Sequence, residues 1–285
     1  MNLPPRLKSS ALFLFLSVVF ASDLVAIKLG LSEVSPLLLA GLRYALSGLI
    51  LLMIALALPK SRSLSKRKFL DAFLLGMLAT VEFACLYLGM QYISAGEASI
   101  LYYTQPIFVA GLAIFFLNEP FSLKKAAALI FGFVGTLLIF LENLSTSVAS
   151  VGGLLVLSSA VAWAGGTVLY KKLVGNENFL PVTSVLLVSS GAFLLAFSLF
   201  FETTLAVSVS LVLTLVYLIV VCSAIGIALY YYLLRRYEAT RVSIWLFLVP
   251  VFGVLLGWLV LGEQVHPNAV VGIFCVGVSI LILNK

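Results

Sequence analysis

The sequence has 285 residues, of which 63% are hydrophobic and only 10% are charged, and its net charge is +6. A soluble domain carries roughly a quarter charged residues, so a mean hydropathy of +1.22 excludes a water-soluble globular protein and indicates a surface that faces lipid. The three cysteines lie in apolar stretches without metal-ligand spacing, so we expect no disulfide, no metal site and no cofactor.

Ten apolar segments are each long enough to cross a bilayer, which takes about 20 residues of helix. The first is interpreted as a retained span rather than a signal peptide, because it is too long and contains Asp23. No strand-like alternation competes with the helices. The sequence therefore predicts an all-α integral membrane protein with ten transmembrane helices. In chain order they are predicted at 11–31, 36–58, 69–90, 97–117, 122–141, 152–173, 181–201, 210–235, 241–261 and 267–284.

The positions of the basic residues predict the topology. With the amino terminus inside, 15 of the 17 Lys and Arg residues fall on the cytoplasmic side, as the positive-inside rule favours. The other two, Lys28 and Arg43, lie within predicted helices. Both termini are therefore expected in the cytoplasm, with the protein in the inner or plasma membrane. Since topology explains the positive charge, we expect no nucleic-acid partner.

The chain contains an internal repeat. Residues 104–120 read TQPIFVAGLAIFFLNEP and residues 248–264 read LVPVFGVLLGWLVLGEQ, and an offset of 144 pairs Pro106 with Pro250. Near the start of each half, an offset of 143 places Lys28 over Lys171. The repeat therefore covers most of the chain.

Each half of the chain, 1–145 and 146–285, is predicted to hold five helices. Because five is odd, the second half enters the membrane from the opposite side. Such inverted repeats are characteristic of secondary transporters, in which the substrate site lies between the repeats near the membrane midplane. The repeated glutamates, Glu119 and Glu263, are each expected to cap the helix that follows.

Four ionisable residues lie within the first three predicted helices: Asp23, Lys28, Arg43 and Glu82. A charge at the bilayer centre costs about 3 kcal/mol, so such residues face a protein interior or water. The planar guanidinium of Arg43 suits either acid, whereas Lys28 is expected to reach the interface. Two interpretations are open for Asp23, Arg43 and Glu82: a site for substrate or protons, and a static ion network between helices.

Pro106 and Pro250 are predicted at the same depth of their helices in the two halves. A proline removes a backbone hydrogen bond, and such breaks are tolerated where neighbours or water satisfy the freed carbonyl. We expect both helices to bend beside the substrate site, with Gln105 as a polar group in its wall. A kink with only a structural role is the alternative.

Aromatic side chains occupy the outer and inner thirds of several predicted helices. Two interpretations are open: an interfacial belt, and two gates that the inverted symmetry exchanges. The gating set joins tyrosines with the two prolines: Tyr87, Tyr103, Tyr170, Tyr231, Pro106 and Pro250. The substrate-binding set joins the charges with polar and aromatic neighbours: Asp23, Arg43, Glu82, Tyr102, Gln105, Trp163 and Trp245.

Two stretches carry a family resemblance, LVAIKLGLSEVSPLLLAGLRYALSGLILL at 24–52 and YISAGEASILYYTQPIFVAGLAIFFLNEP at 92–120. Together with LGEQ at 261–264, they make the sequence similar to the EamA-type family of the drug/metabolite transporter superfamily over nearly its whole length. The resemblance implies a ten-helix exporter or importer of small metabolites such as amino acids.

These features predict a secondary-active transporter, more specifically an exporter, that moves a small metabolite such as an amino acid by alternating access between the repeats. Arg43 and Glu82 are expected to hold the carboxylate and the amine of a zwitterion, and a buried carboxyl is a candidate for proton coupling. We expect a monomer or homodimer in the lipid bilayer, and no enzymatic activity. Two alternatives stay open, an intramembrane enzyme such as a lipid or group transferase, and a passive channel.

Overall fold

The computed structural model describes residues 5–58, 64–141, 150–175, 178–201, 208–256, 258–259 and 265–284. The predicted boundary between the halves lies outside these residues. The helices are α1 (Pro5–Gly30), α2 (Pro36–Ala57), α3 (Lys66–Gly89), α4 (Ala95–Tyr102), α5 (Gln105–Leu117), α6 (Leu123–Ile139), α7 (Val151–Val174), α8 (Phe179–Phe201), α9 (Val209–Tyr217), α10 (Ala228–Arg236), α11 (Ala239–Trp245), α12 (Leu248–Leu256) and α13 (Pro267–Asn284). A π-helical segment, Leu218–Ile227, joins α9 to α10.

Within the described part of the chain, nine helical stretches are long and apolar enough to cross a membrane. Three of them are composite: α4 with α5, α9 with the π-helical segment and α10, and α11 with α12. The helix α6, with 17 residues, adds a tenth apolar helix. The prediction of an all-α membrane protein with about ten transmembrane helices is confirmed.

The α4–α5 and α11–α12 breaks occupy equivalent positions in the two halves. Pro106 and Pro250 lie in the first turns of α5 and α12, where a proline forfeits no intrahelical hydrogen bond. At the second break, the Leu246 N–H donates to the Ser243 carbonyl and the Val249 N–H donates to the Leu246 carbonyl, both at 2.9 Å. Both helices are therefore interrupted just before their prolines, and tight turns close the interruptions.

Equivalent helices of the two halves pack directly on each other, α2 against α8 and α6 against α13. Glycines bring their backbones into contact. A Cβ atom at Gly191 would lie 2.2 Å from the Ala45 backbone nitrogen, and one at Gly135 would lie 2.7 Å from the Gly272 carbonyl oxygen. Small residues let membrane helices approach in this way, so these two pairs form the seam between the halves.

The basic side chains of the connecting turns gather at one end of the bundle, called the basic end below. Contacts between the halves hold this end together: Lys125 Nζ lies 2.9 Å from Glu238 Oε2, and Lys68 donates to the Leu173 carbonyl. The basic end carries Lys66, Arg67, Lys68, Lys124, Lys125, Lys171, Lys172, Arg235, Arg236 and Arg241.

Lys28 and Lys171, which the repeat aligns, bind backbone carbonyls at opposite ends of the bundle. Lys28 donates to the Met90 and Ile93 carbonyls at 2.6 and 2.9 Å. Lys171 donates to the carbonyls of Leu234, in the last turn of α10, and of Tyr237, just after it. The Met90 and Ile93 carbonyls lie just after α3, where backbone carbonyls lack helical partners and can accept from an ammonium. That Lys28 reaches the interface stays a prediction.

The prediction that Glu119 caps the following helix is wrong. Its carboxylate accepts the backbone N–H groups of Ala239 and Thr240 at 2.6 and 3.1 Å, which caps α11 in the other half, while Ser122 caps α6. A carboxylate at a helix N-terminus binds free N–H groups and the positive end of the dipole. This cap therefore ties the two halves together. Glu263 lies outside the described residues.

Candidate functional site

A small cavity lies where α1, α2, α3, α4, α7 and α10 meet. Its volume is about 40 Å³, close to the share of one water molecule in liquid water. Both halves of the chain contribute to its wall. The lining residues are Phe20, Asp23, Arg43, Tyr44, Glu82, Phe83, Tyr102, Tyr103, Trp163, Ile227, Tyr230 and Tyr231.

Three ionisable residues that line this cavity lie at the same depth along their helices. Asp23, Arg43 and Glu82 each lie seven residues from the end of their helix that faces away from the basic end. At 1.5 Å per residue, this is about 10 Å of helix. The two acids therefore lie level with the arginine.

Arg43 is the centre of a polar network that joins α1, α2, α3 and the π-helical segment. Its Nη1 lies 2.8 Å from Asp23 Oδ1 and donates to the Tyr87 hydroxyl at 2.9 Å, while its Nε donates to Ser223 Oγ at 2.7 Å. The guanidinium carbon also lies 4.8 Å from the centroid of the Tyr44 ring, a favourable cation–π distance. With 1% of Arg43 exposed, its charge is satisfied by the protein itself.

The π-helical segment supplies one of these contacts. A π-turn widens a helix and is found frequently at functional sites. Here it carries the buried Ser223 to Arg43, with Cys222 beside Asp23. Nothing in the sequence pattern predicted the π-helical segment.

Glu82 differs from Asp23 because it has no ion pair among the described residues. It is 7% exposed, and the Tyr102 hydroxyl donates to its Oε1 at 3.0 Å, the one side-chain hydrogen bond that its carboxyl receives within the described ranges. Its backbone carbonyl accepts from the Ser159 hydroxyl of α7 at 2.8 Å. A buried, unpaired carboxylate is costly, so this group is suited to take up a proton or to bind a cation.

Trp163 lies at the centre of a cluster of rings beside Glu82. It stacks on Tyr102 with the ring centroids 4.6 Å apart and the planes at 20°. The centroids of Tyr230, Tyr103 and Phe20 lie 5.8, 6.1 and 6.4 Å from that of Trp163. These separations are in the favourable range for aromatic pairs, so the rings form one continuous wall.

A second layer of polar and aromatic side chains closes the cavity toward the basic end. Tyr170 stacks on Tyr231 with the centroids 3.9 Å apart. The hydroxyls of Thr167 and Tyr230 lie 2.7 Å apart, and Gln105 Nε2 donates to Thr167 Oγ1 at 3.4 Å. This layer separates the Glu82 carboxyl from the basic end.

The structure brings most of the predicted substrate-binding residues together. Asp23, Arg43, Glu82, Tyr102 and Trp163 line the cavity. Gln105 belongs to the layer toward the basic end. Trp245 lies away from the cavity, stacked on Phe13 with the centroids 4.9 Å apart. Of the gating set, Tyr103 and Tyr231 line the cavity, Tyr87 and Tyr170 contact residues that do, and Pro106 and Pro250 lie in the helices beyond the two breaks.

Five lining residues were missed in the sequence. The repeat alignment places Phe20 over Trp163, a signal that could have identified Phe20. Tyr44 and Phe83 directly follow Arg43 and Glu82, and consecutive helix residues point about 100° apart, so periodicity assigns them to another face. The missed residues are Phe20, Tyr44, Phe83, Ile227 and Tyr230.

A larger groove of about 760 Å³ opens between α2, α3 and α8 at the end opposite the basic end. Its wall is mainly apolar, and Glu33 at its rim accepts a hydrogen bond from Ser208. Among its described lining residues no buried carboxyl faces a ring cluster. We therefore place the candidate site in the cavity around Glu82.

Comparisons with known proteins agree with this architecture. Residues 8–141 and 150–285 each match the model of the EamA-like transporter family. The uncharacterized transporter YoaV of Bacillus subtilis is 28% identical over 270 residues, which cover 92% of each chain. A probable amino-acid metabolite efflux pump of Salmonella typhimurium is 30% identical over 280 residues, covering 93% of this chain and 91% of the other. A solved crystal structure has the same fold, with a TM-score of 0.82 at 15% identity over 98% of this chain and 97% of the other.

Proposed function

We propose that this chain, which belongs to the EamA-like transporter family, is a secondary-active exporter of small amine-containing metabolites, amino acids among them, that works by alternating access between its two inverted repeats. Membership of this family supports transport across a membrane. The substrate, the direction and the mechanism are our proposal. Export is supported by the relative from Salmonella typhimurium that is named a probable amino-acid metabolite efflux pump.

The observation that carries this proposal is the buried Glu82 carboxyl beside the Trp163 ring cluster, in a cavity lined by both halves. Ionisable residues inside a membrane are expensive and mark substrate or ion pathways by default. Small-molecule sites combine apolar and aromatic walls with a few placed polar groups. The cavity has both properties, and it lies between inverted repeats, where transporters of this construction bind substrate.

Alternating access requires one closure on each side of the substrate. The Asp23–Arg43 pair with Tyr87 is our candidate for the closure away from the basic end, and the Tyr170–Tyr231 stack is our candidate for the closure at the basic end. Both are formed in this structure. The α4–α5 and α11–α12 breaks are the natural hinges, since short irregular segments absorb the backbone rotation when helices rock.

Proton coupling is a further part of the proposal and also rests on Glu82. One carboxyl can hold a proton or a positively charged amine, and it cannot hold both at once. Exchange of the two on opposite faces would drive export by an inward proton gradient. Transport that is unaffected by a pH gradient across the membrane would contradict proton coupling and leave the rest of the proposal unchanged.

A counterflow experiment in proteoliposomes tests the proposal. Vesicles loaded with an unlabelled candidate should take up the labelled compound transiently and saturably, because an alternating-access carrier exchanges substrate across the membrane. The matched controls are empty liposomes and vesicles with Glu82→Gln protein, in which the neutral amide keeps the size of the side chain.

The two alternatives give different results in the same vesicles. A channel would give flux that does not saturate and shows no counterflow. An enzyme would convert the labelled compound to a product that chromatography separates. Either result, obtained with correctly folded protein, would overturn the carrier mechanism.

A further inference from the structure

The positive charge of Arg43 is fully occupied inside the protein. Asp23, Tyr87 and Ser223 bind its nitrogens at 2.7–2.9 Å, and the Tyr44 ring covers one face. A substrate carboxylate would have to displace the Asp23 carboxylate to reach it, leaving a second acid in the same place. Arg43 is therefore a poor receptor for the carboxylate of a zwitterion, which was its expected role.

The charge that the cavity offers to a ligand is the negative one of Glu82. The side chain is more than nine-tenths buried, faces the cavity, and has no cationic partner within the part of the chain that the structure describes. Its single side-chain donor, Tyr102, leaves acceptor capacity for a further N–H group, because an ionised carboxylate accepts about four hydrogen bonds.

The rings around Glu82 complete a site for a cation. The wall carries eight aromatic side chains, among them Tyr102, whose hydroxyl donates to the Glu82 carboxyl and whose ring stacks on Trp163. Ring faces carry negative electrostatic potential and attract ammonium groups, which is how aromatic cages recognise alkylated ammonium ions. Tyr44 and Phe83, which also line the cavity, are stacked with their centroids 3.6 Å apart.

From these contacts we infer that the preferred substrate is a small organic cation, a primary or alkylated ammonium with an apolar body, rather than a zwitterion or an anion. The inference rests on the proposed transport function and narrows its substrate class. The ammonium group binds the Glu82 carboxylate and the ring faces, and the apolar body lies against Trp163. A carboxylate on the ligand would find no free cationic partner among the described residues that line this cavity.

The cavity volume fits this assignment. A space of about 40 Å³ accommodates a group the size of a water molecule or an ammonium ion. A complete amine is larger, so its apolar body requires the stacked rings to separate. Binding is therefore expected to open the Trp163–Tyr102 stack.

The test uses three chemically matched triplets, each with an amine, its amino acid and its carboxylic acid: tryptamine, tryptophan and indole-3-propionate; phenethylamine, phenylalanine and 3-phenylpropionate; isoamylamine, leucine and isocaproate. The unfolding temperature of the detergent-solubilised full-length protein is measured with each compound, since a ligand that binds only the folded state raises it. Counterflow is then measured in proteoliposomes. In at least one triplet, the amine should stabilise and exchange at about tenfold lower concentration than its two partners.

The variants Glu82→Gln and Asp71→Asn give the matched comparison, because both remove one acid from α3 and Asp71 lies near its basic end. Glu82→Gln should weaken amine binding about ten- to a hundredfold, as expected for a lost charge-assisted contact, with the unliganded unfolding temperature unchanged or raised. Asp71→Asn should bind amines as the parent does.

Each of the other outcomes overturns at least one part of the proposal: the cation assignment, the role of Glu82 as receptor, or the carrier function. If the amino acids or the carboxylic acids exchange and the amine shows weaker counterflow than its partners in every triplet, the cation assignment is overturned and the carrier function stands. Binding of amines that Glu82→Gln does not weaken overturns the assigned receptor. Absence of binding and exchange for all nine compounds contradicts the cation assignment and the proposed function together.

Discussion

Separating Asp23 from Arg43 should destabilise the protein much more than removing both charges together. Asp23→Asn leaves a guanidinium that is 1% exposed without its carboxylate at 2.8 Å, and Arg43→Met leaves the carboxylate alone. Removing one partner of a buried ion pair costs about 3–5 kcal/mol. Because the Asp23 side chain is 17% exposed, we expect the lower value, about 3 kcal/mol, for each single change.

The double variant Asp23→Asn/Arg43→Met should cost no more than either single variant. Replacing a complete buried pair by neutral side chains is often close to neutral, so the coupling free energy of the cycle should be at least about 3 kcal/mol, and about 6 kcal/mol for a double variant that is as stable as the parent. The assay is reversible unfolding in mixed micelles with increasing denaturing detergent, followed by tryptophan fluorescence. Single effects below about 1 kcal/mol, or additive effects in the double variant, would refute the argument that this network locks α1 to α2.

Three further predictions test the site, the topology and the link between the halves. Trp163→Ala should weaken apparent substrate affinity about two- to tenfold, as expected for one aromatic contact, whereas Trp258→Ala, at a residue that is 53% exposed, should leave it unchanged; equal effects in a transport titration would mean that the site is misplaced. In a cysteine-free background, Val151→Cys should react with an impermeant maleimide only from outside and Leu123→Cys only from the cytoplasm, since both positions are largely exposed; the reverse pattern would invert the topology. Glu119→Gln weakens the cap of α11 and should lower the free energy of unfolding by about 1 kcal/mol, measured in the same detergent assay; no change would show that the cap is dispensable.

The sequence predicted those features that depend on regular patterns. Helix number follows from the length of apolar segments, and the broken helices follow from prolines that the repeat places at one depth. The pairing of Arg43 with an acid was also predictable, because an unpaired guanidinium in a membrane is costly. Which acid pairs with Arg43, Asp23 or Glu82, depends on how α1 is rotated about its axis relative to α2. The hydrophobic periodicity of the sequence does not specify that rotation.

The rest depends on contacts between distant parts of the chain. Lys28 binds carbonyls 62 and 65 residues away, and Glu119 caps a helix that begins 120 residues later. The sequence near Glu119 offers a neighbouring helix to cap, and the sequence near Lys28 indicates only its depth in α1. Tertiary packing determines which groups both side chains bind. The π-helical segment is a similar case, since its wider turn serves the contact of Ser223 with Arg43.

The symmetry of the repeat is retained in the packing of the helices, but the ionisable residues of the candidate site do not follow it. Lys28 and Lys171 bind turn carbonyls at opposite ends in the same manner, whereas the repeat partners of Asp23 and Glu82 are Gly166 and Gly226. If a rocking motion exchanges the environments of the two halves, the contacts before and after the exchange are similar, because the two scaffolds are similar. The two conformations can therefore be close in free energy.

The acids do not exchange, because only the first half carries them. The Glu82 region of α3 packs on α7 through the Ser159 hydrogen bond in this conformation, and the equivalent contact in the other conformation would involve α1 and the π-helical segment. Loosening of α3 from α7 would then change the surroundings of the Glu82 carboxyl, while the Asp23–Arg43 pair is carried with α1 and α2. A ligand shifts an equilibrium only by its differential affinity for the two states. Under the proposed mechanism, a carboxyl at the α3–α7 contact that has no ion pair among the described residues would let a cation bias the exchange, which a symmetric pair of acids could not do.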